Sequence, residues 1–194
     1  TETINLTDNE AGPTVSLSSS SPIAENGGTS TVTATLSAAA AQSTTVNLLF
    51  SGTADHGADY SRSASSIAIP DNRTSSSITV TGVNDSFNDE AETVIVDIDT
   101  VSGGNGASES GTQRETITIT DDDPTPTVSL SSSAASILES AGADAVTLTV
   151  TISAVAESNT TATLLLSGTA TKGAGTDYTI NSSTITIAAG ALSG

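Results

Sequence analysis

The chain has 194 residues, 22 acidic against four basic, for a formal net charge of -18, with no Cys, Met or Trp and 2% aromatics. Without cysteine there is no disulfide framework or thiolate metal site, and so large an excess of carboxylates repels nucleic acid and favours a basic partner or a cation. No apolar run approaches the roughly 18 to 20 residues that cross a bilayer, and no charged-then-apolar leader opens the chain. The sequence therefore reads as soluble mature protein, or a piece of one, without membrane insertion.

Only 35% of the residues are hydrophobic, a level compatible with disorder if it came without pattern. The pattern is present. Val32, Ala34 and Leu36 alternate with Thr31, Thr33 and Thr35, and the same beat returns in Val46, Leu48 and Phe50 and in Ile67 and Ile69. It continues in Ile78 and Val80, in Val94, Val96 and Ile98, and in Ile117 and Ile119. Period two is that of a strand with one buried face, and no stretch carries a helical period. Turn formers separate the runs, as at Asn26-Gly27-Gly28, Pro70-Asp71-Asn72 and the glycine-rich stretch 102–106. Short strands between such turns predict an all-β fold, an antiparallel β-sandwich.

The chain also repeats itself. The octapeptide PTVSLSSS begins at Pro13 and again at Pro126, an offset of 126 - 13 = 113. LLFSGTADHGADY, from Leu48 to Tyr60, returns as LLLSGTATKGAGTDY, from Leu164 to Tyr178, and INLTDNEAGPTVSL at the start matches ITITDDDPTPTVSL from Ile117. Residues 1–12 thus read as the last strand of a preceding unit or an exchanged strand, 13–123 as a complete unit, and 124–194 as an incomplete second one. The second lacks counterparts of ITVTGVND, AETVIVDID and RETITITDDD. Either a longer array continues the chain, or neighbouring copies supply the missing strands by strand addition.

Acidic residues gather at the predicted strand ends: Glu25; Asp55 and Asp59; Asp85, Asp89, Glu90 and Glu92; and Asp121, Asp122 and Asp123. Loops of a sandwich cluster at its two poles, so carboxylates far apart in sequence can converge. Two like charges about 4 Å apart repel by roughly 1 kcal/mol in water and about 4 at an effective dielectric near 20. Only Arg62, Arg73 and Arg114 are available in the unit to offset that, so a divalent cation is the natural counter-charge. An all-oxygen, carboxylate-rich set suits Ca²⁺.

The motifs E-N-G-G-T from Glu25, S-G-T-A-x-x-G-A-D-Y from Ser51, V-N-D-S-F-N-D-E-A-E-T from Val83 and I-T-I-T-D-D-D from Ile117 occur in that order. Together they resemble the Calx-beta domain, the calcium-binding sandwich found in sodium/calcium exchangers and repeated in many bacterial surface proteins. The resemblance spans the whole chain. It implies tandem seven-stranded antiparallel immunoglobulin-like β-sandwiches with calcium held at one end of each, close to the junction with the next domain. Carried over position by position, the metal ligands are Glu25, Asp59, Asp85, Asp89, Glu92, Asp121, Asp122 and Asp123. Asn84 stands where family members often carry Asp, which removes one ligand charge, and Asp8-Asn9-Glu10 is similarly diluted. In the second unit only Glu139 and Asp177 have counterparts, so no complete site is predicted there.

Other acidic positions, among them Asp55, Asp71, Asp97, Asp99, Glu109, Asp144 and Glu157, read as solvated loop residues. The only histidine, His56, lies among many serines without further signal for a nucleophile, and few aromatics are present to line a sugar cleft, so no enzyme is expected. Rows of Thr at 31, 33, 35 and at 147, 149, 151 suit an exposed strand face, and could also contact ice or sugar. Sequons such as those at Asn72 and Asn159 are expected by chance in a Ser/Thr-rich chain. Tyr60 and Tyr178 read as core residues beside their loops.

The expected function is an extracellular, secreted or cell-surface structural repeat of a stalk or filament, stiffened by calcium at the inter-domain junctions. Its partners would be neighbouring copies of the same module, in the same chain or in adjacent subunits of a fibre. Pro124 and Pro126 restrict the backbone just after the aspartate run and favour a fixed angle there. The competing expectation is a ligand-binding adhesin module that recognises sugar, ice or a host surface.

Overall fold

A computed structural model of the chain describes residues 2–4, 11–88, 90–138 and 146–194, and among these every regular element is a β-strand. The described chain divides into two compact units, residues 1–85 with 90–122, and residues 86–89 with 123–194.

The first unit holds ten strands: β1 (Thr14–Ser18), β2 (Ile23–Ala24), β3 (Thr29–Leu36), β4 (Thr44–Gly52), β5 (Tyr60–Arg62), β6 (Ser66–Ile69), β7 (Ser75–Gly82), β8 (Glu92–Gly103), β9 (Ser108–Glu109) and β10 (Arg114–Thr120). They form two five-stranded sheets, ordered β5-β7-β3-β1-β9 and β2-β10-β8-β4-β6. Seven strands have four or more residues; β2, β5 and β9 are shorter and lie at sheet edges. The pairing is antiparallel except at two edges, where β9 runs parallel to β1 and β2 parallel to β10. Those two parallel contacts depart from an all-antiparallel sandwich. Each involves two residues of an edge strand, so a short chain segment returns alongside its partner without a hairpin turn.

The alternation seen in the sequence is the burial pattern. Val32, Ala34 and Leu36 point into the core with Val46, Leu48, Ile67, Ile69, Ile78, Val80, Val94, Val96, Ile117 and Ile119, all 8% exposed or less. Phe50 and Ile98, at the ends of their runs, are half-buried against the same cluster. Opposite faces carry Thr and Ser: Thr31, Thr33 and Thr35 stand across from Thr79, Ser77 and Ser75 of β7. A core of branched aliphatics contributes about 1.5–3 kcal/mol per fully buried side chain. Tyr60 is the one aromatic fully within it.

The second unit keeps two of those strand pairs in corresponding register. β11 (Val128–Ser132) pairs with β12 (Leu148–Ile152) as β1 does with β3, placing Val128 opposite Ile152. β13 (Thr160–Thr163) pairs with β14 (Thr184–Ile187) as β4 does with β6. Its described core is small, with Val150, Ile152 and Ile187 buried. Val128 and Leu130 are 55% and 57% exposed, although their counterparts Val15 and Leu17 in the identical octapeptide are 0% and 7% exposed.

Candidate metal centre

Strand order gathers carboxylates at one pole of the first unit. β10 ends beside β2, with Thr120 opposite Ala24, so Asp121 and Asp122 leave the sheet where Glu25 begins its turn. Glu92 opens β8 directly across from Ile119. In the other sheet β7 finishes beside the start of β3, Thr81 opposite Thr29, and Asp85 follows three residues after the last residue of β7. β5 starts at Tyr60 opposite Gly82, which brings Asp59 to the same end.

Glu25 is the centre of this group and only 8% exposed. Its amide donates to the Thr120 carbonyl at 3.0 Å, and its Oε1 accepts the Asp85 amide at 2.7 Å. Carboxylate oxygens of Glu25 and Asp85 lie within 4.8 Å of one another. Burial pushes the Glu25 carboxyl above its ordinary value; the Asp85 amide pulls it down, while the neighbouring Asp85 and Asp121 carboxylates push it further up. Asp122 is held by the side chain of Asn26, whose Nδ2 donates to Oδ2 at 3.2 Å. Asn84 donates from Nδ2 to the Asp85 carbonyl at 2.6 Å and so braces the backbone of that loop.

The arginines of the unit make other contacts. Arg114 forms a two-bonded pair with Asp97 at 2.8 and 3.2 Å, and the Arg62 guanidinium sits 4.2 Å above the Phe50 ring. Arg73 precedes β7, at the opposite end of that strand from Asp85, and eight strand residues extend over about 26 Å. A buried carboxylate raised in this way, with further carboxylates around it, is a donor set of hard oxygens that fits Ca²⁺.

The remaining positions named from the sequence fall as follows. Asp59 is half-buried, its carbonyl accepts the Val83 amide at 2.9 Å, and its Oδ2 accepts the Asp55 amide of its own loop. Asp123 opens the second unit, where its carbonyl accepts from Asn88 Nδ2 at 2.9 Å. Asp89, Glu139 and the Asp8-Asn9-Glu10 run lie outside the described residues. In the second unit Asp177 Oδ2 accepts the Thr171 amide at 2.7 Å. Asn26 was not among the sequence candidates; the available signal was its place directly after Glu25 in a turn that had to face the aspartate run.

The Calx-beta domain family matches residues 8–123 and again residues 121–192. No curated protein matches the chain. Among solved structures, the crystal structure of the apo-form Calx CBD1 domain aligns at 18% identity and a TM-score of 0.51, covering 58% of this chain and 99% of that one. CBD12 from CALX1.2 aligns at 19% identity and a TM-score of 0.50, covering 57% of this chain and 44% of that one. The calcium binding domain CBD12 of CALX1.1 aligns at 19% identity with a TM-score of 0.49, over 56% and 44%. The chain therefore spans less than half the length of those two CBD12 structures. Likeness to the first two, at TM-scores of 0.51 and 0.50, establishes the shared β-sandwich fold.

Proposed function

The chain belongs to the Calx-beta domain family, a calcium-binding, non-catalytic β-sandwich family, and on that premise we propose that it is a structural repeat whose first unit takes up Ca²⁺ at the Glu25 pole. The observation that carries this reading is Glu25 itself, buried, its Oε1 holding the Asp85 amide and its carboxylate within 4.8 Å of that of Asp85. Asp59, Asp89, Glu92, Asp122 and Asp123 are the further ligands we assign from the family motif. A cation that binds only the folded form stabilises it by about 2.7 kcal/mol at a hundredfold excess over Kd. Extracellular calcium modules commonly have Kd values of about 10⁻⁴ to 10⁻³ M.

In this reading calcium also stiffens the junction that begins at Asp121-Asp122-Asp123 and runs into Pro124-Thr125-Pro126, and the repeats serve as an extracellular stalk or filament. Two family matches in tandem, the second opening at residue 121 inside the aspartate run, support a head-to-tail array. The test is calorimetric unfolding of the 194-residue chain with millimolar Ca²⁺ or EGTA, paired with small-angle scattering. A raised midpoint and a narrower distribution of maximum dimensions in Ca²⁺ are expected. An unchanged midpoint removes the metal, and a changed midpoint with unchanged scattering removes the stiffened junction.

One observation favours a second reading as a ligand-binding adhesin module. Thr31, Thr33 and Thr35 form an outward row matched across the pair by Thr79, Ser77 and Ser75. Glycan-array and ice-affinity measurements on the chain separate the two, since a spacer binds neither.

A further inference from the structure

We infer that the aspartate of each Asp-Tyr pair, Asp59 in the first unit and Asp177 in the second, is a positioning residue that latches its own loop shut before any metal arrives. The inference rests on the calcium reading only for its consequence at Asp85; the latch itself stands on hydrogen bonds within each unit.

The two loops differ in sequence and length, DHGADY against TKGAGTDY, yet they close by the same bonds. Asp59 Oδ2 accepts the Asp55 amide, and Asp177 Oδ2 accepts the Thr171 amide at 2.7 Å. The Tyr60 amide donates to the Asp55 carbonyl at 3.4 Å, and Tyr178 to the Thr171 carbonyl at 3.4 Å. The Gly57 amide donates to the Tyr60 carbonyl at 2.8 Å, and Gly173 to the Tyr178 carbonyl at 2.9 Å. His56 bridges Tyr60 in parallel as Lys172 bridges Tyr178. The residue whose amide is captured is Asp in one loop and Thr in the other, so the latch recognises backbone and not a particular side chain. Two extra residues in the second loop are absorbed without breaking it; the inserted Thr176 adds its own bonds from Oγ1 to the Thr171 and Gly173 carbonyls.

The second unit supplies the independent observation. A charged acceptor bonded to a backbone amide is a strong, short-range contact, and it forms there around Asp177 in a loop of different length and sequence. The same latch thus recurs in both loops. In the first unit the closed loop has a further contact: the Asp59 carbonyl accepts the Val83 amide at 2.9 Å, and Val83 lies two residues before Asp85. Closing the loop therefore fixes the backbone that presents Asp85 to Glu25. Asp59 spends Oδ2 on the latch, which leaves Oδ1 for the family's ligand role.

The experiment is amide hydrogen exchange by NMR on the full chain in EGTA, comparing Asp59→Ala with Asp59→Asn and Asp177→Ala with Asp177→Asn. Asn keeps a carbonyl acceptor in nearly the same place, and Ala removes it. Expected is a loss of protection of about ten- to a hundredfold at the Asp55 or Thr171 amide in the Ala variants, as befits a bond to a charged acceptor. Protection at Val83 should fall with it in Asp59→Ala, and the Asn variants, which keep a neutral acceptor, should fall between the parent and Ala for both. Unchanged protection in the Ala variants, or equal loss in Ala and Asn, overturns the inference. Because the measurement is made without metal, a chain that bound no calcium would still show the latch, and the two ideas fail separately.

Discussion

Replacing Glu25 by Gln isolates the electrostatics of the acidic pole, because the amide keeps an oxygen that accepts the Asp85 N–H while the charge is lost. Two unit charges 4.8 Å apart, the limit within which Glu25 and Asp85 oxygens lie, interact by about 0.9 kcal/mol in water and about 3.5 at an effective dielectric near 20. Asp85 is exposed, which puts the pair toward the lower end, and relief of Glu25 burial adds to it. Glu25→Gln should therefore raise the metal-free stability of the first unit by about 1–2 kcal/mol at neutral pH, each kcal/mol being about 4–8 °C of midpoint for a domain of about 100 residues. In millimolar Ca²⁺ the order should reverse, since the variant has lost a ligand charge. The sign with pH follows from the raised carboxyl: the folded unit holds the Glu25 proton more tightly than the unfolded chain does. That contribution is fully present below the ordinary value of 4.5 and is lost as pH rises through the higher folded value. The advantage of the variant should grow across that window and vanish below it. Scanning calorimetry in EGTA and in Ca²⁺, from pH 4 to 7.5, measures all three. A variant that is less stable in EGTA, or one whose calcium shift equals the parent's, would refute the reasoning.

Three further outcomes are expected. Asn26→Ala frees the Asp122 carboxylate from its 3.2 Å bond; a calcium titration should show weaker binding, with metal-free stability changed by less than about 1 kcal/mol because the bond is exposed. Ile117→Ala, at a fully buried position of β10, should cost about 2–5 kcal/mol by denaturant unfolding, whereas Leu130→Ala at a 57% exposed position should cost far less. Gly52→Ala should destabilise the unit by about 1–3 kcal/mol, because φ is 125° there and an added Cβ meets the Thr93 carbonyl oxygen across the β4–β8 pair, and exchange should quicken at the Thr53 amide that bonds the same oxygen.

Much of the fold was legible because its signal is local. Alternation with period two fixes which side chains of a strand face inward, so Val32, Val46, Ile67, Val80, Val96 and Ile117 could be assigned to a core without knowledge of partners. The tandem repeat was legible for the same reason: two stretches of one chain sharing an octapeptide adopt strands in the same register, as β1 with β3 and β11 with β12 do. The short edge strands were not legible. β2 and β9 have two residues each and run parallel to distant partners, so nothing in their own neighbourhood distinguishes them from loop.

The sequence by itself determined which residues alternate, where turns fall, that the acidic side chains sit at strand ends, and to which family their order belongs. Only the tertiary structure decided which of them meet. Glu25 faces Asp85 and Asp121 because β2 lies beside β10 and β3 beside β7, pairings made across some 50 to 100 residues of chain, and such long-range register carries no local mark. Structure likewise decided how each oxygen is used: Asp59 turns one onto its own loop, and Asn26, a turn residue by sequence, takes hold of Asp122. A carboxylate in a sequence has two equivalent oxygens and no direction, and the folded backbone around it supplies both the donor and the geometry that tell them apart.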